Sequence, residues 1–293
     1  MQLNLADLTI GEKQSFLQHA IAPRPICFAS TIDNEGKVNL SPFSFFNIFS
    51  INPPILIFSP SRRGRDKSTK HTYENILQVP EVVINIVDYD IVQQCSLTSC
   101  EFPNDVNEFI KAGLTEEPAL HIKPPMVKES KVKFECRVLE VKSLGELGGS
   151  GILVICEAIM MHIDDSILND KGIIDQTKLH HVARMGGDWY CRVDESNLFR
   201  VEKPNVKLGI GFDSLPPSIR ASKILSGNDL GLLANVHEMP QLDAAFQDDH
   251  LKQIVQYYSV NPEEMEKEIH LHAKNLLSQG KVAEAWQVLL QLV

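Results

Sequence analysis

Apolar, β-branched runs recur along the chain up to about residue 210: ICFASTI (26–32), ILIFS (55–59), VVINIV (82–87), VKFECRVLEV (132–141) and ILVICEAIMMHI (152–163). Their length and composition predict strands. Between the first run and Val38-Asn39-Leu40 lies Asp33-Asn34-Glu35-Gly36, a turn cluster that predicts a hairpin. The run from Lys131 alternates, with Val132, Phe134, Cys136, Val138 and Val141 apolar and Lys133, Glu135, Arg137 and Glu140 between them. One face is expected in the core and the charged face in water. Strands with few crossover helices point to an antiparallel barrel rather than a doubly wound sheet.

After Pro216-Pro217 the pattern changes period. Asn261-Pro262-Glu263-Glu264 combines an Asn cap, Pro in the first turn and acids at the positive end of the dipole, which predicts a helix running to about Gln279, where Gly280 ends it. Val282, Ala285, Trp286, Leu289 and Leu290 then form one apolar helical stripe. The expected division is a β-rich domain over 1–212 and a helical C-terminal extension over 213–293, a cap on the barrel or on a partner subunit.

Composition removes several functions. The 293 residues carry 43% hydrophobic and 23% charged residues, ordinary for a globular protein, and a net charge of -10. That balance argues against nucleic acid or an anionic membrane as partner, since both want a basic face. The start MQLNLADLTIGEKQ has no basic region followed by an apolar core, and a cytoplasmic location is expected. The six cysteines and the histidine spacings form no ligand pattern, so no metal is expected. The glycines of 145–151 precede a strand and read as a turn, not a dinucleotide loop. Neither a phosphate-binding P-loop nor a nucleophile elbow appears.

Two segments carry chemistry. NLSPFSFFNIFSINPP (39–54) mixes four phenylalanines with three serines and holds no charge. Buried hydroxyls need partners, which are either this segment's own backbone or a polar ligand. SRRGRDKSTKHTYENI (61–76) places Arg62, Arg63, Arg65, Lys67 and Lys70, five of the chain's 28 basic residues, among Ser68, Thr69 and Thr72. Point charge, planar forks and short hydroxyl donors suit a phosphate monoester, although a solvated charged loop has the same composition.

The order APRPICFASTIDNEGKVNLSPFSFFNIFSINPPILIFSP, KHTYENI, VVINIVD, VNEFIKAGLTEEP and HHVARMGGDWY resembles the flavin reductase-like family of FMN-binding split barrels, over about 22–192. The resemblance implies a mainly β fold with inserted helices, an antiparallel split β-barrel, with the α-helical C-terminal extension outside it. It also implies a homodimer binding FMN near the subunit interface, and hydride transfer from NADH or NADPH to flavin. Carried over by position, Ser41, Phe43, Ser44 and Asn47 contact flavin, Ser30 and Thr31 approach it, and Asn85 offers an amide to the pyrimidine edge. Asn47 and Asn85 could instead cap backbone within the sheet. The phenylalanines of 39–54 would pack the barrel and shield the ring. Lys70 and Thr72, with Arg62 and Arg63, would meet the phosphate; His71 stands where the family commonly has an acid. Arg184 would lie by the cofactor or across the dimer interface and Tyr190 would cover the ring, although both could equally be structural. Two other functions fit the same resemblance: a flavin-binding electron carrier, and a flavin-dependent oxidase or oxygenase of a small organic substrate.

Overall fold

The computed structural model describes residues 1–103, 105–201 and 208–292. Its contacts divide the chain into two compact units, 1–199 and 200–293. In the first, the strands are β1 (Arg24–Pro25), β2 (Cys27–Ile32), β3 (Val38–Phe43), β4 (Phe46–Ile51), β5 (Pro54–Phe58), β6 (Glu81–Ile86), β7 (Glu116–Glu117), β8 (Met126–Val127), β9 (Val132–Ser143), β10 (Ile152–Ile163), β11 (Val182–Arg184) and β12 (Tyr190–Arg192). Seven of them form one antiparallel sheet in the order β3-β2-β6-β9-β10-β5-β4. In a flat sheet β3 and β5 would lie roughly 24 Å apart, five spacings of about 4.8 Å. Instead Phe43 of β3 and Phe58 of β5 hold their ring centroids 5.1 Å apart, so the sheet curls until its two ends meet. The enclosed core takes Cys27 and Ala29 from β2, Leu56 from β5, Val82 and Ile84 from β6 and Val154 and Cys156 from β10.

Four helices join this unit: α1 (Ile10–Ala20), α2 (His71–Gln78), α3 (Val92–Leu97) and α4 (Glu108–Ala112). Alternation along β2 sends Cys27 and Ala29 into the barrel and Phe28 outward, where Ile91 and Cys95 from the α3 region and Phe109 and Ala112 of α4 cover it. Ile76 of α2 packs with the inner core.

Two expectations need correction. Glu135, expected on a wet face of β9, is fully buried. The segment after β7 folds over it, and its carboxylate accepts from the Leu120 N–H (2.9 Å), the His121 N–H (2.7 Å) and His162 Nε2 (2.7 Å). Burial alone would raise this carboxyl, but those bonds outweigh it and hold the group below its usual range. Of the phenylalanines expected to pack the barrel, Phe43 is buried, whereas Phe45 and Phe49 are 45% and 64% exposed. Phe49 sits on the sheet's edge strand β4 and Phe45 in the turn before it, so the sheet covers neither from outside.

The second unit holds α5 (Pro217–Arg220), α6 (Gly227–Ala234), α7 (Asp249–Tyr257), α8 (Pro262–Ser278) and α9 (Val282–Leu289). Asn261 caps α8 by accepting from the Glu264 N–H at 3.4 Å, and Gly280 takes φ +75° just beyond the helix end. The α9 stripe is buried within this unit: Ala285, Trp286 and Leu289 are wholly enclosed, and Trp286 Nε1 donates to the Leu233 carbonyl at 3.2 Å. Residues 208–212, assigned above to the first domain, bond into this unit, with the Ile210 N–H donating to Val236 and the Gly211 N–H to Ala234. Residues 202–207 of that expected domain lie outside the described residues. Among the described residues no helix is long and apolar enough to cross a membrane.

Candidate functional site

The basic loop is built by a distant turn. The Arg62 N–H donates to the Ser150 carbonyl (2.9 Å) and the Gly149 N–H returns to the Arg62 carbonyl (3.0 Å). Gly148 makes this approach possible, since a Cβ there would stand 2.8 Å from the Gly64 carbonyl oxygen. The glycine turn at 145–151 therefore clamps the loop. Arg62 is spent on the clamp: its guanidinium donates to the carbonyls of Gly145 and Lys67.

Arg63 points the other way. Its guanidinium binds Ser68 Oγ (3.1 Å), the Thr69 carbonyl and Glu101 (3.1 Å), fixing the loop's return toward Lys70. Period-two alternation puts Asn39, Ser41 and Phe43 on one face of β3, beside the start of α2. Asn39 Nδ2 donates to the buried Thr72 Oγ1 (3.0 Å) and lies 3.4 Å from Ser41 Oγ. Lys70 sets its ammonium 5.0 Å from the centroid of the Phe43 ring. Asn39, Ser41, Arg63 and Lys70 line a cleft of about 70 Å³ closed by Thr98, Ser99, Glu101 and Glu108, with Thr72 and Phe43 behind them.

Two cations, Arg63 and Lys70, and two carboxylates, Glu101 and Glu108, line the cleft. Among the described residues no carboxylate pairs with Lys70 within 4 Å, because Glu101 is engaged by Arg63 and Arg65. Burial first, and the Arg63 guanidinium second, hold the Lys70 ammonium below its usual range. A half-buried cation beside a second cation, with hydroxyls and amides around it, fits a phosphate group. Glu108 is turned to the backbone: its carboxylate accepts from the Leu40 N–H at 2.9 Å, and burial raises its carboxyl above the usual range while that bond opposes the rise.

The structure thus brings Ser41, Phe43, Arg63, Lys70 and Thr72 together and places the other candidates elsewhere. Ser44 and Asn47 lie along the β3–β4 turn and β4; Asn47 is exposed and accepts from the Ile48 N–H. Thr31 is buried and accepts from Asn75 of α2. Asn85 is buried with its amide taken by the barrel, accepting from the Val127 N–H (2.8 Å) and donating to the Val83 carbonyl. Ser30 is also buried, and among the described residues its Oγ has no hydrogen-bond partner. Arg184 lies over the Tyr190 ring at 4.6 Å and bonds its hydroxyl, in a second pocket. Sequence reasoning passed over Asn39, Glu101 and Glu108; only the charge of the last two, with Glu108 in the first turn of a helix, marked them in advance.

The model of the flavin reductase like domain matches residues 19–182, more than half of the chain, and the chain belongs to that family. An uncharacterized protein of Aquifex aeolicus is 37% identical over 172 residues, 59% of this chain and 85% of its own length. Nitrilotriacetate monooxygenase component B from Bacillus cereus superimposes with a TM-score of 0.64 at 28% identity, over 69% of this chain and 98% of that one. A Shewanella frigidimarina protein with a split barrel domain, designated a flavin reductase, gives a TM-score of 0.59 at 29% identity, over 69% and 99%. The curled antiparallel sheet is accordingly a split barrel of the flavin reductase-like class, with C-terminal helices added to it.

Proposed function

We propose that the protein is an FMN-binding oxidoreductase that passes hydride from NADH or NADPH to flavin as a homodimer in the cytoplasm. The observation that carries this reading is the Lys70 cleft: a half-buried ammonium that no carboxylate among the described residues approaches within 4 Å, beside the Arg63 guanidinium and ringed by Ser41, Asn39 and Thr98, in a chain of the flavin reductase-like family. In it Lys70 and Arg63 hold the FMN phosphate, Ser41 and the Asn39–Thr72 pair orient it, and Phe43 supports the Lys70 ammonium. Bound flavin supplies N5 as the hydride acceptor. The chain needs no acid–base residue for that step, because stacking two rings at contact distance supplies most of the acceleration. Ser44 and Asn47, on the exposed β3–β4 segment, offer donors to the ring edge. Homodimerisation is supported by Phe45, Ile48, Phe49 and Ile51, all exposed along the edge strand β4 and the turn before it, an apolar face that a second copy would cover. The cytoplasmic assignment rests on six cysteines that all remain thiols.

Anaerobic addition of NADH or NADPH to the protein with FMN tests the reading. Loss of the flavin's visible band is expected with one of the two. Retained FMN with no bleaching would leave a flavin-binding electron carrier, and absence of FMN binding would remove the cofactor assignment altogether.

A further inference from the structure

The helical unit is fastened on one side by a buried histidine. His270 of α8 is 3% exposed, and its Nδ1 lies 2.9 Å from Ser222 Oγ in the turn that joins α5 to α6. Ser222 Oγ also accepts from the Ile224 N–H and the Leu225 N–H, both at 3.1 Å. With both acceptor positions of the hydroxyl taken, its hydrogen is left to donate to Nδ1, and the neutral ring carries its own proton on Nε2. That second nitrogen is buried and, among the described residues, has no partner. One turn further along α8, Lys274 Nζ donates to the Ile224 carbonyl at 2.9 Å. Two neighbouring side chains of α8 thus grip one turn, which carries Leu225 into the core and starts α6 at its Ser226 cap.

Protonation undoes the first of these grips. An imidazolium donates from Nδ1, toward an oxygen that already accepts twice and whose own hydrogen must turn away. Its Nε2–H stays buried without an acceptor, and the charge is desolvated. Glu266, one turn before, favours the imidazolium, and Lys274, one turn after, opposes it. Asp229 of α6 is taken by the Ser226 cap and stands 4.0 Å from Lys274, and Arg220 of α5 donates to the Asp213 carbonyl. α9 buries only Ala285, Trp286, Val288 and Leu289. Burial prevails and holds the His270 imidazole below its usual range, with Glu266 pulling the other way. The opposite flank of α8 responds differently. His272 Nε2 lies 2.8 Å from the Asp248 carboxylate at the start of α7, with its ring edge-on to His250 at 4.7 Å. Burial alone would raise the Asp248 carboxyl, but bonds from the Leu251 N–H and His272 outweigh it and keep the group ionised into mild acid. A protonated His272 therefore still has its partner.

We propose that the helical unit carries an acid-sensitive latch: protonation of His270 frees the α5–α6 turn from α8 and bares Leu225, Leu230 and Leu233, while α7 stays on α8. The latch does not depend on the flavin assignment, because it lies beyond the matched segment 19–182. Closure is complete above the ordinary imidazole value of 6.5 and weakens as pH falls from there toward the lower value of the closed form. Between about pH 7.5 and about pH 5.5 the opening equilibrium shifts by up to about tenfold, the gain in proton binding of an ordinary imidazole over that interval.

Hydrogen exchange of the full-length protein, read by mass spectrometry and corrected for the intrinsic pH dependence of exchange, tests the proposal. Over that interval protection in peptides covering 222–234 should fall by up to about tenfold, and α7 should keep its protection. His270→Asn, whose Oδ1 accepts the Ser222 hydroxyl and gains no charge, should abolish the fall, and His272→Asn should leave it in place. The wild-type ring gives a reading that needs no variant: in histidine-labelled protein His270 should show the Nε2–H tautomer near neutral pH and titrate below the ordinary imidazole value. The proposal is overturned if protection at 222–234 ignores pH, if α7 loses as much as α6, if His270→Asn keeps the response, or if the His270 ring titrates at or above the ordinary value.

Discussion

Replacing Lys70 with Ala separates a phosphate contact from every other role the basic loop could play. In the protein without flavin, the Lys70 ammonium is partly desolvated, faces Arg63 and has no carboxylate within 4 Å among the described residues. Its favourable interactions are with the Phe43 ring at 5.0 Å, worth about 0.5–1 kcal/mol, and with the more distant charge of Glu101. Removing Lys70 also relieves repulsion from Arg63, so the thermal midpoint without flavin should change little in either direction. FMN reverses the balance by bringing charge to a cation that lacks it. A charge-assisted hydrogen bond of about 1.5–3 kcal/mol would be lost in the variant. That corresponds to roughly a ten- to hundredfold weaker Kd for FMN. Riboflavin, which has no phosphate, should bind wild type and variant alike. Flavin fluorescence titrations with both ligands measure the ratio directly, and raised salt should weaken FMN more than riboflavin in the wild type. A ratio of FMN to riboflavin affinity that does not move in Lys70→Ala refutes the phosphate assignment, and equal weakening of both ligands shows a folding defect instead.

Gly148→Ala should act on the same ratio from a distance, because its Cβ would press on the Gly64 carbonyl and push the basic loop off its clamp; FMN affinity should fall while circular dichroism of the barrel stays the same. Glu135→Gln should cost about 2 kcal/mol in urea unfolding near neutral pH, since an amide cannot accept all three of the bonds the carboxylate holds. Because the folded carboxyl lies below its ordinary value of 4.5, its contribution is complete above that pH and is lost as pH falls through the folded value; the variant should show a flatter acid limb. Trp286→Ala should cost about 3–5 kcal/mol in the helical unit and leave FMN binding intact, and a calorimetric trace that loses the barrel transition as well would show that the two units do not unfold separately.

What the sequence disclosed follows the range of the interactions involved. Strand existence, the 33–36 turn and the caps of α8 depend on neighbours within a few residues, and period and turn chemistry suffice to read them. Glu135 escapes such a reading because alternation shows which side chains share a face of β9 but not that the segment at 119–126 returns to cover the charged one. Arg62 and Arg63 are indistinguishable as adjacent letters. What divides their labour is a glycine turn 83 residues further on, which takes one guanidinium and leaves the other beside Lys70. Thr31 and Asn85 show the same limit from inside the barrel, where their polarity is visible in the sequence but the Asn75 and Val127 groups that satisfy them are not. Of the Arg184–Arg192 pocket, Arg184 and Tyr190 were named from the sequence and Arg192 was not. HVARMGGDWYCR carries a turn signal at its centre, and folding it there in register sets Val182 and Arg184 against Arg192 and Tyr190 on one face. The sequence thus held the palm of that pocket, and only Tyr89, the ring that completes it, had to come from another part of the chain.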